Sequence, residues 1–251
     1  MRIYFRGNLY GCNQATAFVE DKGKIIFIGS DKEALKYSGE QIDLNNKYVY
    51  PGFNDSHMHL VNYGQSLKNV LLEKHTNSLK ALLEELKKHL VKGQWLIGRG
   101  WNHDYFTDEQ RFPTRKDLDM ISEEEPIVIT RTCGHILVAN SKAIELANIT
   151  SEAVEGGYFD LDAGLFQENA LYLIYDTIPQ PTIEEIKDNI LIAQKELHSY
   201  GITSVQSDDL LSATSDYHDA LQAFEQLRAE NKLTIRAVSY THLRAHETRS
   251  N

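Results

Sequence analysis

Two histidines separated by a single residue, His57 and His59, are the side chains of this 251-residue sequence best suited to binding a metal ion. Successive side chains of a β-strand point to opposite faces, so His57 and His59 share one face and Met58 lies on the other. Neutral imidazole nitrogens bind zinc at about 2.0–2.1 Å. The spacing therefore predicts two ligands of one metal site, and two surface histidines near a loop are the alternative.

Asp55 precedes His57 by two residues and belongs to the same face of the predicted strand. A carboxylate in that place can accept the remaining ring N–H of a ligating histidine and so orient the ring. Pro51-Gly52 just upstream indicates a tight turn before the strand begins. We therefore expect Asp55 to support the metal site rather than to bind the ion.

The elements that position these residues begin with a β-rich segment. Short strands broken by turn residues are predicted at 3–5, 15–19, 24–28 and 48–50. An amphipathic helix is predicted from residue 79 to about 90, with Asn77 or Ser78 as its N-cap. Further strands are predicted at 95–98 and 126–130, and a short helix at 141–147.

From residue 181 the pattern changes to an alternation of helices and strands. Helices are predicted at 183–199 and 216–230, and strands at 202–206 and 233–237. Thr182 and Glu185 form a capping box at the start of the first of these helices. Alternating helices and strands predict parallel strand pairing through right-handed crossovers.

Composition excludes several classes of protein. A net charge of −10 argues against nucleic acid or an anionic membrane as the main partner. No apolar run approaches the roughly 20 residues of a membrane span. Cys12 and Cys133 lie far apart and form no CxxC motif, which favours a reducing, cytoplasmic location. Cys133 is predicted to be a buried thiol rather than a nucleophile, because no base lies at a useful spacing.

Several motifs, taken together and in order, resemble one family. They are residues 23–29 (GKIIFIG), 51–60 (PGFNDSHMHL), 97–101 (IGRGW), 113–119 (PTRKDLD), 134–135 (GH), 140–143 (NSKA) and 201–205 (GITSV). The chain resembles the metal-dependent amidohydrolases, and within them the YtcJ-like group, amidohydrolase family 3. This resemblance extends from Tyr4 to about Ala237.

The resemblance implies an α/β fold with two parts. Residues 1–50 would be the N-terminal portion of a composite β-sandwich, and residues 51–237 an incomplete (β/α)8 TIM barrel with a long α/β insertion at about 64–180, after barrel strand 1. About three barrel strands are expected, against eight in about 250 residues for a full barrel. Residues 238–251 are predicted to be a non-native tail, since they resemble a translated sequencing adapter. For this reason His242 and His246 are not counted as a metal site.

The resemblance also implies a chemistry. The expected enzyme is a metal-dependent hydrolase of C–N bonds in a small amide-like molecule, with N-substituted formamides as candidates and one or two divalent ions, zinc foremost, as cofactor. The general-base aspartate of such an enzyme is expected beyond the end of this chain. A homodimer is compatible with the family. The alternatives are a catalytically inactive truncated fragment and a metal-binding module without turnover.

Other residues have a functional and a structural interpretation. Glu168, in a G-x-x-x-E-x-A block, is a third metal ligand or a supporting carboxylate, or else a glutamate at a helix start. His135 contacts substrate or bonds to nearby backbone. Trp101 forms a substrate pocket wall or belongs to the core. Asp208 and Asp209 follow a strand at the end where barrel enzymes place their chemistry, and solvated loop acids are the favoured interpretation.

Overall fold

The computed structural model describes residues 1–75, 77–209 and 216–239 and divides the chain into two compact units. The first unit comprises Met1–Asn54 and Gly201–Ser204, and the second comprises Asp55–Tyr200 and the described residues from Val205 onward. Across these ranges, no helix combines the length and apolar composition that a bilayer span requires.

The first unit is a small β structure with one short helix. Its elements are β1 (Arg2–Phe5), β2 (Asn8–Leu9), β3 (Ala17–Asp21), β4 (Lys24–Gly29), α1 (Asp31–Ala34), β5 (Glu40–Asp43) and β6 (Tyr48–Val49). A four-stranded sheet has the order β4-β3-β1-β5, and β2 pairs with β6. Ala17 and Val19 alternate with Phe18 along β3 and pack with Ile3 and Ala34 in the core of this unit.

The following strands and helices occupy the rest of the described chain. The strands are β7 (Phe53–Met58), β8 (Val70–Leu71), β9 (Leu96–Trp101), β10 (Ile127–Arg131), β11 (Ile136–Ala139), β12 (Gly157–Asp160), β13 (Leu165–Glu168), β14 (Ile202–Ser207) and β15 (Arg236–Ser239). The helices are α2 (Leu60–Lys68), α3 (Leu79–Lys88), α4 (Arg115–Asp119), α5 (Ser141–Ala147), α6 (Tyr172–Tyr175), α7 (Ile183–Ser199) and α8 (Tyr217–Ala229).

A six-stranded mixed sheet in the order β12-β13-β11-β10-β9-β8 dominates the second unit. The β8–β9 and β9–β10 pairs are parallel, and the remaining pairs are antiparallel. Ile127 and Ile129 of β10 face the hydrophobic cluster that includes α3, whereas Val128 faces a second cluster on the other side. Both faces of the strand are covered, which explains its continuous apolar sequence.

His57 belongs to a second sheet with the order β15-β14-β7, and His59 follows the end of β7. Helix α2 follows β7 directly and packs against α7. The two helices approach so closely at Gly64 that a Cβ there would lie 1.9 Å from the main-chain oxygen of Asn189. Only glycine therefore permits this crossing of α2 and α7.

The last described strand differs from its predicted position at 233–237. Leu233 donates its N–H to the Leu227 carbonyl at the end of α8, and Thr234 donates its N–H to Gln194 Oε1 on α7. These two residues therefore bond to helices instead of to a neighbouring strand, and the strand begins only at Arg236. It includes Val238 and Ser239, the first residues of the predicted tail, while 240–251, with His242 and His246, lie outside the described residues.

Candidate metal-binding site

His57 and His59 lie side by side at the end of β7. The strand ends at Met58, and His59 is the N-cap residue of α2 with φ −114° and ψ 87°. The centroids of the two imidazole rings are 5.6 Å apart, and the rings meet edge to face with an interplanar angle of 76°. Both residues are exposed, as binding of an ion from solvent requires.

The ring of His59 is oriented by a main-chain carbonyl that follows β14, the strand next to β7 in the sheet. Its Nδ1 lies 2.5 Å from the carbonyl oxygen of Asp208, which directly follows β14. A carbonyl oxygen only accepts hydrogen bonds, so Nδ1 is the protonated nitrogen and Nε2 carries the lone pair. An imidazole fixed in this tautomer presents Nε2 as a metal ligand.

Ser207 and Asp209 hold the start of α2. The Leu60 N–H donates to Ser207 Oγ at 2.8 Å, and the Val61 N–H donates to Asp209 Oδ1 at 3.0 Å. Ser207 Oγ also donates to the other carboxylate oxygen of Asp209. Because a helix leaves its first N–H groups without partners of their own, these side chains act as a cap supplied by another strand.

Asp209 is fully buried, so the prediction of a solvated loop acid is wrong for this residue. Burial raises the pKa of its carboxyl group, and the hydrogen bonds from Ser207 and from the main chain of Val61 and Asn62 oppose that shift only in part. Val205, Ser207 and Asp209 alternate along and just beyond β14, and all three are buried.

Asp55 has a different contact from the one predicted. Its Oδ1 accepts the main-chain N–H of His57 at 3.1 Å, so the carboxylate braces the backbone rather than a ring. The orienting acceptor that we expected from Asp55 is, at His59, the carbonyl of Asp208. Sequence spacing placed the supporting group on the same strand, whereas the structure supplies it from a neighbouring strand.

Glu168 and His135 were predicted to have separate roles and are found paired with each other. His135 Nδ1 lies 2.9 Å from Glu168 Oε2, with side-chain exposures of 66% and 59%. The Glu168 backbone has φ 51° and ψ −127°, a conformation that costs a non-glycine residue about 1–3 kcal/mol. The Glu168 N–H donates to the His135 carbonyl, so main chain and side chain both hold the pair together.

Trp101 belongs to the core of the second unit. The side chain is fully buried, with ring centroids 5.7 Å from Phe112 and 6.5 Å from His103. The prediction that Trp101 lines a substrate pocket is therefore wrong for the described structure, because no part of its surface is accessible. The alternative interpretation, a core tryptophan beside tight turns, is the correct one.

Cys133 is exposed, which contradicts the prediction of a buried thiol. It lies in the turn between β10 and β11, where side chains face solvent. Desolvation acts to raise the pKa of this thiol, but hydrogen bonds from the main chain of His135 and from Arg131 outweigh it and lower the pKa. Strand-end geometry, rather than the residue type, decided its exposure.

The described residues bring two candidate metal ligands, His57 and His59, into one place. Within 1–75, 77–209 and 216–239, no group of three or more His, Cys, Asp or Glu side chains is arranged to hold one ion. Glu168 is accordingly not grouped with His57 and His59. The donor set nonetheless fits a borderline-soft divalent cation, since it consists of two adjacent imidazoles with one tautomer fixed by a carbonyl.

Two adjacent imidazoles at a strand end are compatible with binding of a metal ion, and comparison with known proteins shows the family of the chain. The amidohydrolase family profile (Amidohydro_3) matches residues 40–250. The chain therefore belongs to the amidohydrolase family.

Individual relatives support this assignment. YtcJ of Bacillus subtilis (strain 168), which bears the name of an amidohydrolase, is 31% identical over 245 residues, 92% of this chain and 46% of YtcJ. An N-substituted formamide deformylase of Arthrobacter pascens is 30% identical over 157 residues, 59% of this chain and 29% of that protein.

The chain is also similar to solved structures of metal-dependent hydrolases. The crystal structure of an uncharacterized metal-dependent hydrolase from Pyrococcus furiosus matches with a TM-score of 0.76 and 31% identity, covering 98% of this chain and 52% of that chain. The chain thus spans about half the length of the proteins it matches most fully.

Proposed function

We propose that this chain carries the first metal-ligand strand of a hydrolase that cleaves C–N bonds in a small amide-like molecule. The observation that carries the proposal is the pair of imidazoles at the end of β7, with 5.6 Å between their centroids. Membership of the amidohydrolase family supports the reaction class. An N-substituted formamide is the proposed substrate, and it is supported by the similarity to a formamide deformylase.

His57 and His59 would hold one divalent cation, and the proposed metal is zinc. A site with two such ions is also part of the proposal. When bound, such a cation supplies Lewis acidity, which lowers the pKa of a bound water towards neutral pH and polarises a carbonyl group. The contribution of the chain is to fix the imidazoles before the ion arrives. The Asp208 carbonyl sets the tautomer of His59, and Asp55 braces the His57 backbone.

His135 is the proposed substrate-contacting residue on the six-stranded sheet. Glu168 accepts from its Nδ1, so Nε2 has the lone pair that can accept a hydrogen bond from an amide N–H. The strained backbone of Glu168 supports a functional role, because a residue held at a cost in stability is often retained for its side chain. A ligand role for Glu168 finds no support among the described residues, since it is not grouped with the two ligating histidines.

The experiment combines metal analysis with an amide panel. The parent chain and a His57→Ala/His59→Ala variant would be purified, metal content measured by mass spectrometry, and formamide and acetamide substrates assayed with Zn²⁺, Co²⁺ and Mn²⁺. We expect the double variant to lose bound metal and any metal-dependent hydrolysis. His89→Ala is the matched control, because His89 is an exposed histidine that bonds Glu85 at the end of α3. Parent-level metal binding by the double variant would refute the proposal.

Metal binding without turnover is a second candidate function for this chain. The finding that favours it is that the described residues bring together two ligating side chains and no third. In that case the chain would bind zinc through His57 and His59 and hydrolyse no member of the panel. A cytoplasmic location and a homodimer remain proposals that rest on composition and family respectively.

A further inference from the structure

Residues 58–61, which include His59, are hydrogen-bonded to residues 207–209 at the end of β14, the middle strand of the second sheet. The Asp208 N–H donates to the Met58 carbonyl at 2.9 Å, and His59 Nδ1 donates to the Asp208 carbonyl. The Leu60 and Val61 N–H groups then donate to the side chains of Ser207 and Asp209. Every residue from 58 to 61 therefore has a partner in the segment 207–209.

This arrangement follows from the residue that occupies the N-cap of α2. Caps are normally Ser, Thr, Asp or Asn, whose side-chain oxygen accepts a helix N–H. In α2 the N-cap is His59, and its ring bonds the Asp208 carbonyl rather than the helix N–H groups. Ser207 and Asp209 supply the acceptors that the N-cap side chain does not.

The buried position of Asp209 makes the arrangement rigid. Its carboxylate is fully buried and accepts from Ser207 Oγ and from the helix main chain, so its rotamer is fixed from two sides. The first turn of α2 sets the direction in which His59 leaves the backbone. A change in this cap would therefore displace the imidazole without touching it.

We propose that Ser207 and Asp209 are positioning residues for the metal ligand His59. They act through the start of α2 and contact neither the ion nor the substrate. The inference rests on the proposed function, because it presumes that His59 binds a cation. It goes further by assigning a role in metal affinity to two residues on β14 and just beyond it, outside the HxH strand.

The test measures metal binding directly, with Zn²⁺ alone and Co²⁺ alone as probes. Affinities of the full chain would be measured by competition with a chromophoric chelator, and the absorption bands of bound Co²⁺ would report the coordination geometry. The first variant is Asp209→Asn, which keeps the side-chain volume and removes the charge. The second is Ser207→Ala, which removes one acceptor and serves as the test if Asp209→Asn fails to fold. Loss of an outer partner of a ligating histidine typically weakens metal binding about 10–100-fold, and we expect that range for Asp209→Asn.

Asp108→Asn is the matched control. Asp108 caps α3 by accepting the N–H groups of Leu79 and Lys80, and Ser78 Oγ donates to it, so the same chemistry operates on a helix that carries no ligand. We expect Asp108→Asn to lower the melting temperature while the Zn²⁺ affinity and the Co²⁺ spectrum stay at parent values. Ser207→Ala should weaken Zn²⁺ binding in the same direction as Asp209→Asn and by a smaller factor.

Two results would overturn the inference. In one, Asp209→Asn and Ser207→Ala bind Zn²⁺ with parent affinity. In the other, Asp108→Asn weakens binding as much as they do, which would assign the effect to general stability. The His57→Ala variant distinguishes failure of the positioning role from failure of the proposed function. If His57→Ala abolishes Zn²⁺ binding while Asp209→Asn leaves it unchanged, the metal site stands and the positioning role is wrong; if His57→Ala also binds normally, the proposed function is wrong.

Discussion

Helices α2 and α3 begin with the same hydrogen bonds in opposite surroundings. In each, an aspartate from outside the helix accepts main-chain N–H groups of the first turn, and a serine both accepts an N–H and donates to that aspartate. The cap of α3 is exposed, and its two main-chain bonds lower the pKa of Asp108. The cap of α2 is buried, and burial raises the pKa of Asp209.

The comparison shows that one bonding pattern can have two purposes. At α3 the N-cap residue is itself the capping serine, Ser78, and the cap ends a loop on the surface. At α2 the N-cap residue is a metal-ligand candidate, and the capping groups have moved to another strand. A buried carboxylate costs desolvation free energy that an exposed one does not, and its retention at α2 is consistent with a role in the site.

The largest expected effect concerns the packing of α2 itself. Gly64→Ala would place a methyl group 1.9 Å from the Asn189 main-chain oxygen, so α2 and α7 must separate. We expect the free energy of unfolding to fall by about 3 kcal/mol. Urea denaturation followed by circular dichroism would measure this loss. Lys87→Ala, on the exposed face of α3, is the control and should change stability by less than about 0.5 kcal/mol; equal effects of the two variants would mean that the close approach of α2 and α7 is not maintained in solution.

Removal of each capping carboxylate is the next most informative change. Asp209→Ala leaves buried N–H and hydroxyl groups without acceptors and should destabilise the chain by about 2–3 kcal/mol. In Asp108→Ala, water can reach the N–H groups of Leu79 and Lys80 and replace the lost hydrogen bonds. We therefore expect a smaller loss of stability, seen as a drop of about 2–4 °C in the melting temperature. Thermal melts of both variants give the ranking, and the reverse order would contradict the assignment of a buried and an exposed cap.

The capping serines should show the same ranking on a smaller scale. Ser207→Ala removes the acceptor of a buried N–H and is expected to cost about 1–2 kcal/mol, whereas Ser78→Ala is expected to cost about 0.5–1 kcal/mol. The double variants Ser207→Ala/Asp209→Ala and Ser78→Ala/Asp108→Ala would give the coupling within each cap. A coupling energy near zero in the α2 cap would show that its two side chains act independently.

The smallest expected effect is a dependence on pH at the α3 cap. The folded-state pKa of Asp108 lies below its ordinary value of 3.8, so the unfolded chain binds the proton more readily. The stability that Asp108 contributes is therefore fully present above its ordinary pKa and is lost as the pH falls through the lowered one. Asp108→Asn should flatten the acid side of the stability profile, measured by urea midpoints between neutral and acid pH. An unchanged acid slope in Asp108→Asn would assign that slope to other carboxylates.

Much of the local structure follows from patterns in the sequence. The capping box of Thr182 and Glu185 correctly predicted the start of α7, and the apolar spacing from Leu79 onward correctly predicted α3. These signals are local, since a helix is defined by contacts three and four residues apart. The strand at 236–239 was misplaced because Leu233 and Thr234 form long-range bonds to α8 and α7 that no local pattern reveals.

The candidate site divides in the same way. The two-residue spacing of His57 and His59 is a property of any strand, so their adjacency was predictable from the sequence. The pairing of His135 with Glu168 joins residues 33 positions apart, and it depends on the pairing of β11 with β13. Cys133 was assigned the wrong environment, because burial depends on what covers a strand end rather than on the residue there, and for Trp101 the sequence left the core and pocket interpretations open.

The sequence by itself determined the adjacency of the two candidate ligands, the family and most helices, because each rests on spacing within a few residues or on ordered motifs. Only the tertiary structure decided which groups orient and brace those ligands. The partners of residues 58–61 come from 207–209, and the hydrogen bond between His59 and Asp208 spans 149 positions. Bonds of that kind exist only once two distant strands have paired, and a single sequence contains no periodic signal for them.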